Sequence, residues 1–228
     1  MSIYCVMAGL LCAACGYILG SINTSLIVGK FYKVDVRQHG SGNAGATNVL
    51  RTLGKKAAIF TFLGDFLKGV IACLAGRGLV ALILLFTDAT GIAPINHTVG
   101  LMIAGAFCIF GHNWPVFFGF KGGKGVLTTF AVFIMMAPIP ALIALLFFVI
   151  IVAITRYVSL ASMLTAVFLP LLVYLSGIFQ WNVGVENITE YLIFCIPLAL
   201  LIIVKHKKNI IKLIHGKENK LGKKKEVE

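Results

Sequence analysis

Residues 127–155 read LTTFAVFIMMAPIPALIALLFFVIIVAIT, an apolar stretch with Pro138 and Pro140 near its middle. It can be interpreted as one long kinked helix or as two short helices, because a proline ring disrupts the helical turn that precedes it. The choice decides whether the segments before and after this stretch lie on the same side of a membrane.

The composition is that of an integral membrane protein. Apolar residues make up 59% of the 228 residues and charged residues only 12%, far from the average of a soluble domain. Several apolar runs are long enough for helices, and none alternates as the strands of a lipid-facing β-barrel do. We therefore predict an all-α, polytopic membrane bundle.

The distribution of Lys and Arg indicates how the chain crosses the membrane. If residues 127–155 form two spans joined at the prolines, every Lys and Arg except Lys68 and Arg77 lies on one side. The loops near residues 87–97 and 179–190 contain neither residue type. Cytoplasmic loops are enriched in Lys and Arg, so we predict about seven spans, with the N-terminus outside and the C-terminus in the cytoplasm.

The net charge of +12 therefore reflects topology, and we expect no nucleic-acid partner. We predict a single transmembrane domain over residues 1–215, followed by a basic, flexible cytoplasmic tail over residues 216–228 that is attracted to anionic lipid. The spans are predicted at residues 3–29, 57–86, 99–110, 127–155 (two spans), 157–178 and 190–205.

The first unusual loop, residues 40–51, reads GSGNAGATNVLR, and we call it the first glycine loop. Its glycines permit backbone conformations in which successive N–H groups converge on an anion, and a helix start adds a positive dipole end. Arg51 offers a planar fork of donors, and Thr47 would share its helix face. The glycine spacing is that of neither a Walker A nor a dinucleotide motif. A plain connecting turn is the alternative.

The second unusual loop, residues 120–125, reads FKGGKG, and we call it the second glycine loop. It places the ammonium groups of Lys121 and Lys124 among three glycines, an arrangement that suits an anion. The alternative is a cytoplasmic turn whose lysines only set orientation.

Two charged residues lie inside the second span. A charge at mid-membrane costs about 2.5–3.5 kcal/mol on insertion scales, so Asp65 and Lys68 should face the bundle interior. Because they are three residues apart on a helix, we predict that they pair with each other as a structural ion pair.

A third polar cluster follows the last span. His206 and Asn209 share one helix face at the predicted cytoplasmic end. A histidine among lysines at a membrane boundary can also be a solvated interfacial residue, and this alternative stays open. The predicted topology places all three polar clusters on one membrane face, which favours a single site for anionic substrates beside lipid.

At these residues the sequence resembles the bacterial acyl-phosphate:glycerol-3-phosphate acyltransferases, the PlsY family, over nearly its whole length. The family's first motif is complete at residues 41–51, its second matches residues 111–117 and 120–126, and its third matches residues 206–209 with Gly216 and Glu218. Departures from the usual pattern are Leu127, Lys212 and Asn23.

The resemblance implies transfer of an acyl group from acyl phosphate to the 1-hydroxyl of sn-glycerol 3-phosphate, giving lysophosphatidic acid and phosphate as the first step of phospholipid synthesis. It implies a multi-pass protein of the bacterial cytoplasmic (inner) membrane, with its active site on the cytoplasmic face. Membrane lipids are expected partners, as is functional coupling to an acyl-phosphate synthase; no cofactor and no metal are expected. The implied catalytic residues are Ser41, Arg51, Lys124, His206 and Asn209. The implied phosphate-binding residues are Gly40, Gly42, Asn43, Gly45, Thr47, Asn48, Lys121, Gly122 and Gly123.

The acceptor of the glycerol hydroxyl proton is open between two groups. The substrate's own phosphate is favoured, with Ser41 as a hydrogen-bond donor, and His206 is the competing general base. An anion transporter built on broken helices is the alternative function, although the chain shows no inverted repeat.

Overall fold

The computed structural model describes residues 3–87, 96–181 and 187–222, and within them the protein is helical with no β-strand. In this described part of the chain, two short 3-10 helices, Val36–Gln38 and Val116–Phe118, lie in the connections. The α-helices are α1 (Ile3–Ser21), α2 (Thr24–Phe31), α3 (Ala46–Thr52), α4 (Lys55–Thr87), α5 (His97–Asn113), α6 (Val126–Met136), α7 (Pro138–Thr155), α8 (Val158–Ile178), α9 (Ile188–Lys205) and α10 (Lys207–Ile214).

Among the residues that the structure describes, six segments are long and apolar enough to cross a membrane, and they confirm the predicted helical membrane protein. They are Ile3–Phe31, Lys55–Leu85, His97–Phe118, Pro138–Thr155, Val158–Ile178 and Ile188–Lys205. The orientation of the chain stays a prediction. The two loops predicted to face outside include residues 88–95 and 182–186, which lie outside the described residues.

The apolar stretch 127–155 is divided into two helices, as the prolines predict. α6 ends at Met136 and α7 begins at Pro138, whose ring occupies the first helical turn, where no intrahelical N–H bond is lost. α6 has 11 residues and is therefore about 16 Å long, short of a hydrocarbon core of about 30 Å. That α6 crosses the membrane as a seventh span stays a prediction.

The first span contains a break that the sequence analysis did not predict. α1 ends at Ser21, and Asn23 caps the new helix α2 by accepting hydrogen bonds from the Leu26 amide at 3.3 Å and the Ser25 hydroxyl at 2.7 Å. Asparagine is among the preferred N-cap residues. The break therefore has a local signal, the side chain of Asn23.

Contacts divide the chain into two compact units, Met1–Met136 and Ala137–Glu228. In the first unit α1 packs on α5 with almost no side chain between them. A Cβ on Gly16 or Gly20 of α1 would collide with the carbonyls of Ala104 and Cys108 of α5. Glycines four residues apart allow this close approach of membrane helices, so α5 and the loop that follows it are held tightly to α1.

In the second unit α8 packs against α7 and α9. Part of the predicted tail contacts the segment that precedes α8, and its flexibility stays a prediction. The Leu221 amide donates to the Arg156 carbonyl at 2.8 Å, and the Lys220 ammonium lies 5.3 Å from the ring centroid of Tyr157. Residues 223–228 lie outside the described residues, and a single domain over residues 1–215 stays a prediction.

Candidate active site

The first glycine loop begins with a turn whose backbone favours glycine. Gly40 has φ +63° and Gly42 has φ +73°, in the left-handed region that other L-residues rarely adopt. The Gly42 amide donates to the His39 carbonyl at 3.0 Å and closes the turn. This confirms the expectation that the loop has glycine-specific backbone geometry.

The side chain of Asn48 joins the start of the first glycine loop to the segment that precedes it. Its side chain is 1% exposed, its Oδ1 accepts the Ser41 amide at 2.7 Å, and its Nδ2 donates to the carbonyls of Val36 at 2.7 Å and His39 at 3.1 Å. Both amide hydrogens are thus used within the protein. The side chain thereby fixes where the Ser41 amide lies, and the phosphate contact from Asn48 stays a prediction.

Helix α3 begins directly after Gly45, and among the described residues no side chain caps it. Thr47 and Arg51 lie four residues apart on this helix and are half-buried, so they share one face. α3 has only seven residues, so the partial charge at its start is small and the guanidinium of Arg51 is the stronger attraction for an anion.

The second glycine loop folds back onto the end of α5. The Gly122 and Gly123 amides donate to the carbonyls of Asn113 at 3.3 Å and His112 at 3.0 Å. Their predicted binding of phosphate through backbone N–H groups is therefore not supported, since those groups are already used. A Cβ on either glycine would collide with His112, so glycine is required here for close packing. That Lys121 and Lys124 bind phosphate stays a prediction.

Arg37, which the sequence did not single out, joins the segment just before the first glycine loop to the second glycine loop, and we call this contact the clamp. Its Nη1 donates to the carbonyl of Phe118 at 3.0 Å, just before the second glycine loop, and to that of Lys121 at 3.3 Å, within the loop. Its Nε and Nη2 make a forked pair with Asp35, at 2.8–3.2 Å. Hydrogen bonding from Arg37 holds the pKa of Asp35 below its ordinary value, and the same contact raises the pKa of Arg37.

An apolar cluster packs against the two glycine loops. Its buried members are Leu26 of α2, Val36, Ala44, Val49 of α3 and Ala57 of α4, with Phe118 packed against them. A Cβ on Gly123 would stand 2.6 Å from the Ala44 carbonyl oxygen, so the two loops touch directly. The structure thus brings together two of the three predicted clusters. One carries Ser41 and Arg51, and the other carries Lys121 and Lys124.

The third cluster lies in the second unit. His206 is 2% exposed and its Nδ1–H donates to the Ile202 carbonyl at 2.7 Å, so the solvated alternative is wrong. Asn209 donates to Glu218 at 2.9 Å, and Ser159 donates to the same carboxylate oxygen at 3.0 Å. That this cluster joins the two glycine loops in one site stays a prediction.

The model of the glycerol-3-phosphate acyltransferase family matches residues 10–216 of this chain. The chain belongs to the glycerol-3-phosphate acyltransferase family. A relative of that name in Thermoanaerobacter pseudethanolicus is 43% identical, over 97% of this chain and 100% of its own length. Another, in Clostridioides difficile, is 40% identical, over 97% of this chain and 99% of its own length.

The family's solved structures share the fold. Crystal structures of PlsY, described as an integral membrane glycerol 3-phosphate acyltransferase, are similar to this chain in two forms. The glycerol 3-phosphate form has a TM-score of 0.75 at 37% identity and covers 94% of this chain and 96% of its own. The lysophosphatidic acid form has a TM-score of 0.72 at 36% identity and covers 94% and 95%. The resemblance to the PlsY family is thereby confirmed.

Proposed function

We propose that this protein transfers an acyl group from acyl phosphate to the 1-hydroxyl of sn-glycerol 3-phosphate and releases 1-acyl-glycerol 3-phosphate and phosphate. The observation that carries the proposal is the clamped pair of glycine loops, in a chain of the glycerol-3-phosphate acyltransferase family. Both substrates carry a phosphate, and the two loops present cationic side chains from two different segments of the chain.

Charge is the first requirement of such a site, since two phosphate groups repel each other. Arg51 of the first glycine loop and Lys124 of the second are assigned to the two phosphates, with Lys121 near the solvent-exposed edge. Fixed cations that face the reacting groups stabilise the transition state without reorganising during the reaction. Holding both substrates in the reacting orientation lowers the barrier further.

The donor is assigned as acyl phosphate because this mixed anhydride is already activated. None of the five histidines is followed five residues later by Asp, so the HX4D box of other glycerolipid acyltransferases is absent from the sequence. An activated donor needs neither that box nor a covalent acyl-serine. Orientation and charge stabilisation suffice for the transfer.

The chemical step breaks one bond and forms one. The 1-hydroxyl oxygen of glycerol 3-phosphate attacks the acyl carbon, and the bond from that carbon to the phosphate oxygen breaks, with its electron pair leaving on phosphate. The hydroxyl proton passes to a substrate phosphate oxygen in the favoured route. In the competing route His206 takes the proton at Nε2, which carries the lone pair of the neutral ring because Nδ1–H donates to Ile202.

Donor specificity tests the proposed function. Purified protein in a bilayer mimetic receives glycerol 3-phosphate with acyl phosphate, acyl-CoA or acyl carrier protein carrying the same chain, and lysophosphatidic acid is measured by mass spectrometry. We expect product from acyl phosphate alone. Product formed at equal rates from acyl-CoA refutes the donor assignment, and substrate counterflow without product indicates a carrier.

Direct transfer has its own test. The protein is mixed with labelled acyl phosphate in the absence of glycerol 3-phosphate, the reaction is quenched, and the mass of the intact protein is measured by mass spectrometry. Direct attack predicts no stoichiometric adduct and a ternary complex in the kinetics. An acyl adduct on Ser41 that glycerol 3-phosphate discharges at the turnover rate would make Ser41 the nucleophile.

We also propose that the site faces the cytoplasm of the bacterial inner membrane, where an acyl-phosphate synthase would supply the donor. The Lys and Arg distribution supports this orientation. Single cysteines introduced into a cysteine-free background test this orientation. Cysteines near Asn43 and Lys217 should react with a label added from the cytoplasmic side, and one near Gly91 with a label added from outside. Labelling of Gly91 and Lys217 from the same side contradicts the orientation.

A further inference from the structure

Three buried titratable side chains in the first unit have no part in the chemistry described above. The Lys68 ammonium of α4 lies 2.8 Å from Asp65 Oδ1 and 3.0 Å from Nδ1 of His112 on α5. Each of these side chains is 6% exposed or less. The ion pair predicted from the i, i+3 spacing is confirmed, and His112 is an added member. Ionisable groups at membrane depth are costly, so this trio calls for a functional explanation.

The trio is attached to the break between α1 and α2. The Lys68 ammonium also donates to the Ile22 carbonyl at 3.1 Å, and Asp65 Oδ1 accepts the Thr24 amide at 3.4 Å. Backbone groups at a helix break inside the membrane need such partners. The position of Lys68 is therefore fixed by the backbone on one side and by Asp65 on the other.

The contact with Lys68 decides which nitrogen of His112 carries the proton. An ammonium group has no acceptor, so Nδ1 of His112 must accept the hydrogen bond and the neutral ring carries its hydrogen on Nε2. Asp65 Oδ1 lies 3.6 Å from the same Nδ1, beyond hydrogen-bond distance. A protonated ring would turn an N–H towards an ammonium at 3.0 Å, so the contact with Lys68 favours the neutral Nε2–H form.

The other edge of the ring lies against the glycine loops. A Cβ on Gly123 would collide with His112 Nε2 and stand 2.6 Å from the Ala44 carbonyl oxygen. The Gly123 amide in turn donates to the His112 carbonyl at 3.0 Å. His112 therefore touches the second glycine loop one residue before Lys124, at the point where that loop meets the first.

We propose that Lys68 and His112 are positioning residues of the phosphate site. Lys68 fixes His112 as the Nε2–H tautomer, and His112 holds Gly123 in place, so that Lys124 is presented beside the first glycine loop. The tautomer follows from the buried contacts alone, whereas its effect on turnover rests on the proposed function, in which Lys124 binds a substrate phosphate.

The tautomer is measured without substrate. Protein labelled with ¹⁵N-histidine in a bilayer mimetic is recorded by NMR, and the signals lost in His112→Gln assign His112. We expect a bonded hydrogen on Nε2 and a bare Nδ1. The assignment uses His112→Gln protein whose folding is checked by thermal unfolding. An imidazolium or an Nδ1–H tautomer in the wild-type protein overturns the proposal whatever the activity.

Variants then test the consequence for turnover. The double variant Asp65→Asn, Lys68→Met removes both charges together and should give mixed His112 tautomers with kcat/KM at least 10-fold lower. The matched control is His97→Gln, a histidine at the opposite end of the same helix α5, which should keep wild-type kcat/KM. An altered tautomer with unchanged kcat/KM overturns the positioning role. A wild-type protein without acyl transfer contradicts the proposed function and leaves the tautomer result standing.

Discussion

The clamp between the two glycine loops leads to a prediction with a definite size. Replacing Arg37 with methionine keeps an unbranched apolar stem and removes the guanidinium, with its hydrogen bonds to the Phe118 and Lys121 carbonyls and to Asp35. A hydrogen bond to a charged donor contributes about 1.5–3 kcal/mol. The contact with Lys121 is longer and exposed, so it contributes less.

We take about 2 kcal/mol as the loss from both contacts. At 1.36 kcal/mol for each factor of 10, the equilibrium between clamped and separated loops shifts by about 30-fold. Because Lys121 and Lys124 are carried by the clamped loop, kcat/KM for acyl transfer in Arg37→Met should fall by up to this factor.

The assay is the initial rate of lysophosphatidic acid formation over a range of both substrates, with folding checked by thermal unfolding in detergent. Lys33→Met is the matched control, since it removes one cation from the same connection and Lys33 is exposed. Wild-type kcat/KM in folded Arg37→Met, or an equal loss in Lys33→Met, refutes the clamp.

Three further predictions concern the supports of the site. Asn48→Ala leaves the buried Val36 carbonyl without its donor, and an unsatisfied buried group costs about 1–3 kcal/mol. The variant should therefore have a higher KM for the phosphate substrates and a lower unfolding temperature. Wild-type values of both would argue that Asn48 does not position the first glycine loop. Asp65→Asn and Lys68→Met should each lower the unfolding temperature more than the double variant, because each alone leaves a buried charge unpaired; additive effects contradict the pairing. The lowered pKa of Asp35 means that its carboxylate contributes stability above the ordinary Asp pKa of about 3.9 and that this contribution is lost as pH falls through the lowered pKa. Its ¹³C titration midpoint should therefore lie below the ordinary value and return towards it in Arg37→Met.

Much of the fold was predictable because membrane helices leave strong local signals. Length and apolarity define the candidate spans, and Pro138 marks the division between α6 and α7. The pairing of Asp65 with Lys68 follows from helical spacing alone. Gly40 and Gly42 of the first glycine loop adopt the left-handed conformations that their residue type allows.

The contacts that build the site were less predictable, because they join residues far apart in the chain. Arg37 and Phe118 are 81 residues apart, and Lys68 and His112 are 44 apart. Spacing along the sequence cannot report such contacts, which depend on how α1, α4 and α5 pack. Gly122 and Gly123 bond to nearby residues at the end of α5, but their spacing along the sequence does not indicate which carbonyls their amides use.

One measurement tests the central claim most directly: phosphate and lysophosphatidic acid are quantified together from purified protein given acyl phosphate and glycerol 3-phosphate. We predict one phosphate released for each lysophosphatidic acid formed, no release when either substrate is omitted, and loss of both products in folded Arg51→Ala. Phosphate released from acyl phosphate at the full rate without glycerol 3-phosphate would contradict acyl transfer at this site.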